Sequence, residues 1–219
     1  MKKVFLTGGS RGIGKHINDY FIKKGHEVYS PDRNELDLSD LDGVRKFIDR
    51  VEAHDVVINN AGTNAVEDIK DFKEDTFMGM MNVNLISHIM ITNHFVKLAN
   101  EQNRNLSILN MGSIRMYDFK KGRIHYTMSK VCLDIFTKYV IHEYGDSNII
   151  CNTISPGYVM TDMLSRNNTK EKLDSMLGSI PLKKFAHPDV IAEAAHFLCI
   201  ENTYINGENI VIDGGKTWK

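Results

Sequence analysis

Short apolar segments alternate with amphipathic ones along the 219-residue chain. Apolar runs with little polar alternation predict buried strands, and hydrophobic residues at three- and four-residue spacing predict helices. The predicted strands cover residues 3–8, 26–30, 54–62, 105–113, 149–157 and 208–215, and the predicted helices cover 14–25, 41–52, 75–102, 124–145 and 189–200. This alternation is typical of parallel βαβ units with helices on both faces of the sheet. We therefore expect a single α/β domain over 1–219, with a doubly wound parallel sheet in three α/β/α layers.

Charge and composition narrow the classes of function. The formal net charge of −1 gives no support for nucleic-acid or membrane-surface binding, and no run of eighteen apolar residues predicts a membrane span. Three widely spaced cysteines in apolar contexts indicate small core residues in a reducing compartment, so we expect a cytoplasmic protein. The nine histidines lack metal-binding spacing, and no metal is predicted. A functional role for His125 is left open because this residue adjoins Tyr126.

A glycine-rich segment, TGGSRGIG at 7–14, follows the first strand and opens the first helix. Gly8, Gly12 and Gly14 allow a tight turn and close approach of the backbone to a pyrophosphate, and the helix N-terminus offers free N–H groups. A plain tight turn is the alternative. The position at the first strand of a βαβ unit favours nucleotide binding, because ligands of such sheets bind at the carboxyl ends of the strands.

Further motifs follow the later strands in a fixed order. They are NNAG at 59–62, NVNL at 82–85, NMGS at 110–113, YTMSK at 126–130, NTISPGYVMT at 152–161, the run IPLKKFAHPDVIAEAAHFL at 180–198 and NGENIVIDGG at 206–215. With TGGSRGIG, they make the chain resemble the short-chain dehydrogenase/reductase family over nearly its whole length. The resemblance implies a Rossmann-like fold that binds NAD(P)(H) and an oxidoreductase activity.

Tyr126 and Lys130 lie four residues apart in a predicted helix and therefore share one face. A neighbouring ammonium favours the phenolate, so we expect a lowered pKa for Tyr126 and proton exchange with a carbonyl or alcohol oxygen near neutral pH. Ser113, thirteen residues upstream at the end of a strand, would hydrogen-bond the same oxygen. An incidental tyrosine–lysine pair on a surface helix is the alternative, and both the glycine turn and Ser113 argue against it.

The resemblance also implies roles for individual residues. The implied catalytic set is Asn84, Ser113, Tyr126 and Lys130. Lys130 would bind the nicotinamide ribose, and Asn84 would hold a water that links Lys130 to solvent, although Asn84 could instead be a structural kink or a buried cap. Thr161 would bond the nicotinamide carboxamide, with a backbone contact from Val159. The implied cofactor-binding set is Gly8, Ser10, Arg11, Gly12, Ile13, Gly14, Asp32, Arg33, Asp37, Leu38, Asn60, Ala61, Gly62, Tyr126, Lys130, Pro156, Gly157, Val159 and Thr161.

The choice of cofactor depends on the end of the second strand. Asp32 there would bond the adenosine ribose of NAD(H), whereas Arg33 and Arg11 would bind the 2′-phosphate of NADP(H). Two cations against one anion tilt the balance slightly to NADP(H), and both cofactors stay open. The chain between this strand and the second helix is short, so the helix and third strand that relatives carry here are expected to be shortened. Asp37 and Leu38 in this stretch would flank the adenine.

Together these features predict hydride transfer between NAD(P)(H) and a carbonyl or secondary alcohol, with Tyr126 as general acid and base. A nucleotide-sugar epimerase or dehydratase and a non-catalytic cofactor-binding scaffold are the alternatives. The loop 114–125 is basic, which indicates either a solvated loop or an anionic small-molecule substrate; its cations are Arg115, Lys120, Lys121 and Arg123. We expect a substrate lid over 162–180, and a homodimer or homotetramer formed through the long helices and the last helix and strand.

Overall fold

The predicted apolar segments form the six strands of one parallel sheet. The computed structural model describes residues 1–161, 164–165 and 168–218. The strands are β1 Lys3–Leu6, β2 Glu27–Tyr29, β3 Val56–Asn59, β4 Leu106–Met111, β5 Ile149–Pro156 and β6 Asn209–Ile212. Their order is β2-β1-β3-β4-β5-β6, with every pairing parallel. The carboxyl ends of the strands therefore meet at one edge of the sheet.

Helices cover both faces of this sheet. They are α1 Gly12–Lys23, α2 Leu41–Ile48, α3 Glu74–Met81, α4 Ser87–Glu101, α5 Ile124–Tyr144, α6 Lys170–Gly178 and α7 Pro188–His196. Successive side chains of β1 enter different cores, because a strand alternates its faces. Phe5 packs with α2, α4 and α5, whereas Val4 and Leu6 pack with α1 and α7. This confirms the doubly wound, three-layer α/β/α architecture.

The edge of the sheet beside β2 is abbreviated. Residues 30–40 form turns and lead directly from β2 to α2, and Asp40 caps that helix by accepting a hydrogen bond from the Gly43 amide at 3.0 Å. Leu36 and Leu38 from this short connection are buried against α2 and α4. The expected shortening of the chain between β2 and α2 is confirmed, and β2 is one of the two edge strands of the sheet.

The single helix predicted over 75–102 is wrong in one respect. A π-helical turn, Asn82–Ile86, separates α3 from α4. Inside this turn the Asn84 side chain binds the Thr63 backbone twice, accepting from its amide at 2.8 Å and donating to its carbonyl at 2.9 Å. A π turn widens the helix by one residue and often marks a functional site. Hydrophobic spacing shows no such insertion, which is why the sequence predicted one continuous helix.

Residues predicted as a substrate lid fall partly outside the described chain, namely 162, 163, 166 and 167. Within the rest of 162–180, helix α6 contains no buried residue, and Ile180 is buried. Among the described residues, no helix has both the length and the apolar character needed to cross a membrane.

Candidate active site

The glycine turn lies at the carboxyl end of β1 and runs into α1. Gly8 and Gly12 have φ values of +71° and +54°, which L-residues with side chains rarely adopt. A Cβ on Gly14 would stand 2.0 Å from the Gly8 carbonyl oxygen, so the turn also requires glycine for its own close packing. The N-terminus of α1 and this bare backbone leave room for a phosphate group to approach amide N–H donors. The turn fits the pyrophosphate of a dinucleotide.

The NNAG segment braces the glycine turn. The Asn60 side-chain amide donates to the carbonyls of Thr7 and Gly8 at 3.0 and 3.1 Å. The Thr7 hydroxyl accepts from the amides of Asn60 and Ala61, both at 3.0 Å. Asn60 therefore holds the turn in shape through its own side chain. Thr7 is a site residue that sequence reasoning missed, although a polar residue ending a buried strand was a usable signal.

Asn59 belongs to a polar network inside the sheet. Its side-chain amide donates to Asn110 of β4 at 2.8 Å and to Thr92 of α4 at 2.9 Å. Asn110 in turn donates to Thr137 of α5 at 2.8 Å. These bonds fix α4 and α5 against the central strands. The hydrogen bonds thereby fix the positions of these helices relative to the carboxyl ends of the strands.

The segment after β5 faces the glycine turn. Pro156 ends the strand, and a Cβ on Gly157 would lie only 2.7 Å from the Asp213 Cα. Val159 is buried and pairs with Ala186 in an isolated parallel bridge. A Cβ on Gly12 would lie 3.9 Å from the Thr161 methyl carbon. The structure therefore brings Thr161 and the glycine turn together, as expected for two sides of one crevice.

Lys130, Asn84 and Gly62 converge beside this crevice. The Lys130 ammonium donates to the Met111 carbonyl at the end of β4, at 2.7 Å. A Cβ on Gly62 would stand 3.5 Å from Asn84 Oδ1 and 3.7 Å from Lys130 Nζ. Ser129, which sequence reasoning did not single out, accepts a hydrogen bond from Asn84 at 3.1 Å. Burial lowers the pKa of Lys130 from its ordinary 10.5 to about 8, because the low-dielectric interior disfavours the ammonium.

The expected electrostatics of Tyr126 need correction. Burial raises the pKa of Tyr126 above its ordinary value, and this effect outweighs the opposing influence of the Ser113 hydroxyl and of two nearby guanidiniums, Arg115 and Arg123. The Lys130 Nζ lies 5.8 Å from the centre of the Tyr126 ring. The prediction of a lowered pKa for Tyr126 was wrong because it neglected desolvation, which is the largest influence on this phenol. Ser113 and Tyr126 do lie side by side, as expected.

The residues expected to distinguish the cofactors lie after β2. One Asp32 carboxylate oxygen accepts from the amides of Asn34 and Glu35 at 2.7 and 3.0 Å. Arg33 is exposed and pairs loosely with Asp37 at 3.4 Å. Asp37 also accepts from the Ser39 hydroxyl at 2.7 Å, and hydrogen bonds with Ser39 contribute most to lowering its pKa. Arg33 is therefore partly neutralised by an acid that sequence reasoning had assigned to the adenine.

The basic loop after Ser113 divides into two parts. Arg115 and Lys120 both donate to the Tyr158 hydroxyl, at 3.0 and 2.6 Å, and Tyr158 is a buried residue that sequence reasoning passed over. Lys121 points elsewhere and pairs with Asp68 at 3.2 Å, with 88% of its side chain exposed. Of the four cations that make this loop basic, Lys121 therefore fits the solvated-loop interpretation.

Two histidine clusters lie outside this chemistry. His125 is buried between Phe72 and Phe77, and its Nδ1 lies 3.4 Å from a Glu67 carboxylate oxygen, so it anchors a neighbouring loop. On the other face, ligand atoms of His16, His187 and Asp189 all lie within 4.8 Å of one another, although His16 is far from the other two in sequence. His187 caps α7, and Asp189 pairs with His16 at 2.6 Å, which accounts for this group as a clip between α1 and α7.

Comparison with known proteins supports the interpretation of these strand-end motifs. The family profile described as Enoyl-(Acyl carrier protein) reductase matches residues 34–217, which is most of the chain. The chain belongs to the short-chain dehydrogenase/reductase family. It is 30% identical to a 3-oxoacyl-(acyl-carrier-protein) reductase of Chlamydia pneumoniae, over 99% of this chain and 97% of the relative. A further relative, from Bacillus subtilis, is named glucose 1-dehydrogenase 2, and it is 27% identical over 99% of this chain and 95% of the relative.

Solved structures of this family superpose closely on the chain. A 4-hydroxyisoleucine dehydrogenase complexed with NADH has a TM-score of 0.95 at 25% identity, with both chains covered completely. The same enzyme complexed with NADH and succinate has a TM-score of 0.90 at 26% identity, over 99% of this chain and 100% of the other. The oxidoreductase fold of the family is therefore present over its whole length.

Replacing Lys130 with methionine should stabilise the fold at neutral pH, because the substitution removes a buried ammonium. The pKa of Lys130 is lowered in the fold, so the wild type gains stability between about pH 8 and 10.5, where the unfolded chain binds more protons. We expect the free energy of unfolding of the variant to exceed that of the wild type by about 1–3 kcal/mol at pH 7, and by less at pH 9.5. Chemical denaturation at both pH values measures this free energy.

Lys138→Met, at an exposed lysine paired with Asp134, is the control. Its free energy of unfolding should differ from that of the wild type by the same amount at both pH values. An equally flat difference for Lys130→Met would contradict the account.

Proposed function

We propose that the protein transfers a hydride between NAD(P)(H) and a small carbonyl or secondary alcohol, with Tyr126 as the proton donor and acceptor. The observation that carries this proposal is the meeting of Ser113, Tyr126 and Lys130 at the carboxyl ends of the strands, beside the glycine turn. When bound, the nicotinamide supplies or accepts the hydride. The residues of the chain must then hold the reacting oxygen and manage its proton.

Each of the candidate catalytic residues has a distinct part in this scheme. The Ser113 hydroxyl donates a hydrogen bond to the substrate oxygen and holds it against Tyr126. In reduction, the Tyr126 hydroxyl gives its proton to that oxygen, and in oxidation its phenolate takes the proton back. Lys130, with a pKa of about 8, can return a proton to Tyr126 near neutral pH. Asn84, fixed by Thr63 and Ser129, positions the relay from Lys130 towards solvent.

The proposed substrate is a small molecule, in keeping with the relatives. One acts on 3-oxoacyl groups, as its name states, and another is a 4-hydroxyisoleucine dehydrogenase that binds succinate. A nucleotide-sugar epimerase or dehydratase would recycle its cofactor in place and give no net absorbance change at 340 nm. A non-catalytic scaffold would have no use for the buried lysine beside Tyr126. Helix α6 is our candidate for the part of the predicted lid that covers the substrate.

For the cofactor, we propose a preference for NAD(H). Asp32 follows β2, where we expect the adenosine ribose to bind, and its carboxylate would repel the 2′-phosphate of NADP(H) because like charges at close range repel. Arg33, whose charge was the sequence argument for NADP(H), pairs with Asp37 instead. Arg11 is then the one cation left to balance Asp32, so the excess of positive charge inferred from the sequence disappears. The slight tilt towards NADP(H) is replaced by this proposal.

An apolar stripe along α5 supports the proposed homodimer or homotetramer. The stripe residues recur at three- and four-residue spacing on one helix face and are all partly exposed; they are Ile124, Met128, Val131, Ile135 and Tyr139. Exposed apolar stripes of this kind mark protein–protein contacts. We propose that a second copy of the chain covers this face.

Tyr126→Phe should abolish turnover and leave cofactor binding intact, because it removes the proton donor alone. We expect kcat for carbonyl reduction to fall by about 10²-fold or more, with the dissociation constant of NADH unchanged within about twofold. Absorbance at 340 nm and fluorescence titration measure the two quantities. Tyr204→Phe, at a tyrosine that is 96% exposed, is the matched control. Full turnover by Tyr126→Phe would overturn the proposal.

The cofactor preference is tested by comparing NADH and NADPH affinities. We expect tighter binding of NADH by about tenfold, and we expect Asp32→Asn to narrow that ratio by removing the repulsion. Asp42→Asn, on the exposed surface of α2, should leave the ratio unchanged. Tighter binding of NADPH to the wild type would show that Arg11 and Arg33 govern the choice.

Disrupting the α5 stripe should lower the molecular mass in solution. Ile135→Glu with Tyr139→Glu places two charges in the proposed interface, more than two helical turns from Tyr126. We expect sedimentation analysis to show a dimer or tetramer for the wild type and a smaller species for the double variant. Tyr204→Glu, elsewhere on the surface, is the control. A monomeric wild type would refute the proposed assembly.

A further inference from the structure

Arg123 is a charged side chain without a counterion at the mouth of the site. It is half-buried, and it precedes the first residue of α5 directly after Gly122, whose φ of +73° turns the chain into the helix. Within residues 1–161, 164–165 and 168–218, its guanidinium makes no hydrogen bond or ion pair. Partly buried charges are ordinarily paired, because removing them from water costs free energy. An anion from outside the chain would meet this need.

The acids in the neighbourhood are already engaged. Asp118 accepts from Arg115 at 2.6 Å and lies 3.6 Å from the Lys216 ammonium. Glu67 lies against His125 and also accepts from the Lys73 amide at 3.2 Å. This leaves an excess of positive charge beside Tyr126. Burial lowers the pKa of Arg123, and the positive charge of Arg115 lowers it further.

Arg115 differs from Arg123 in having its donors occupied. Its guanidinium binds the carboxylate and the backbone carbonyl of Asp118, at 2.6 and 3.0 Å, and the Tyr158 hydroxyl at 3.0 Å. These hydrogen bonds hold the Arg115 guanidinium in place and leave it few donors for a ligand. Arg123 keeps its donors free, and a guanidinium binds a carboxylate through two parallel hydrogen bonds. The free donors assign anion recognition to Arg123.

Arg123 is also correctly placed to contact the substrate of Tyr126. Arg123 directly precedes α5, and Tyr126 follows three residues later in its first turn, so the two backbones lie within about one helical turn of 5.4 Å. Each guanidinium acts electrostatically on the Tyr126 phenol. A substrate whose anionic group binds Arg123 would therefore be short, with only a few bonds between that group and the oxygen that exchanges a proton with Tyr126.

We propose that the substrate is a short oxo or hydroxy acid, whose carboxylate binds Arg123 while its carbonyl or hydroxyl oxygen meets Ser113 and Tyr126. The inference rests on the proposed function and narrows its substrate class. In reduction, one hydride reaches the carbonyl carbon and one proton from Tyr126 reaches its oxygen, so the carboxylate is unchanged. A long acyl thioester has no carboxylate at this distance and would not use Arg123.

The test compares oxo acids with their methyl esters, which have the same carbonyl and no charge. The pairs are 4-oxopentanoate with its methyl ester and 3-oxobutanoate with its methyl ester, and acetoacetyl-CoA represents thioesters. We expect the wild type to favour the acids, and Arg123→Gln to raise their KM by about 10- to 100-fold with kcat changed less than about threefold. The esters should respond less than twofold. Lys121→Gln, which removes a surface cation two residues away, should change neither class.

Binding without turnover gives a second measurement. Calorimetry should detect 4-oxopentanoate binding to the NADH-loaded wild type, weaker binding to Arg123→Gln and partial recovery in Arg123→Lys. Equal loss for acids and esters in Arg123→Gln would mean that Arg123 only tunes Tyr126, and it would overturn the inference. Preference for acetoacetyl-CoA with no effect of Arg123→Gln would also overturn it. In both cases, NADH binding and ester reduction would still support the proposed function, whereas failure to bind either NADH or NADPH would refute the function itself.

Discussion

The candidate site depends on one buried contact, the hydrogen bond from the Lys130 ammonium to the Met111 carbonyl at the end of β4. This bond joins the N-terminal third of α5 to the strand end from which Ser113 follows two residues later. It therefore sets where Tyr126, one turn earlier on α5, stands relative to Ser113. Asn59 and Asn110 hold the same helix and strand together deeper in the sheet. The geometry of the proposed proton transfer follows from this packing of helix on strand.

Burial then determines the proton affinities of the pair. It raises the pKa of Tyr126 and lowers that of Lys130, because in each case the low-dielectric surroundings favour the neutral form. Because the ordinary values are 10.0 for tyrosine and 10.5 for lysine, the two pKa values move apart, and the lysine becomes the stronger acid of the pair. The phenol is kept as a proton donor, which suits reduction, and the amine can exchange a proton near neutral pH. The positive charges that oppose the rise at Tyr126 come from Arg115 and Arg123, on the side where we place the substrate.

Much of this could be predicted from the sequence, because its signals are local. The strand and helix pattern, the parallel sheet and the shortened edge after β2 all follow from hydrophobic spacing and chain length. The glycine turn and the strand-end positions of Ser113 and Thr161 follow from motif order. The π turn around Asn84 could not be predicted, since a wider turn leaves the hydrophobic pattern almost unchanged. The same holds for Thr7 and Tyr158, whose roles arise from partners distant in sequence.

The error at Tyr126 has a different cause. Helical spacing correctly placed Tyr126 and Lys130 on one face, but it gave no information on depth below the surface or on the atom that Lys130 would bind. Desolvation and the Met111 carbonyl decide the outcome, and both belong to the tertiary structure. The same limitation applied to the basic loop, where Arg115 and Lys120 share the Tyr158 hydroxyl, Lys121 pairs with Asp68, and Arg123 has no partner among the described residues.

The most direct test of this account is the titration of the Tyr126 phenol in the cofactor-free protein. Carbon-13 labelling of the tyrosine ring, with Tyr126→Phe to assign the resonance, reports its pKa by NMR. The account predicts a pKa above the ordinary value of 10, which rises further when Arg123 is replaced with glutamine. A pKa below 10 in the wild type would contradict it.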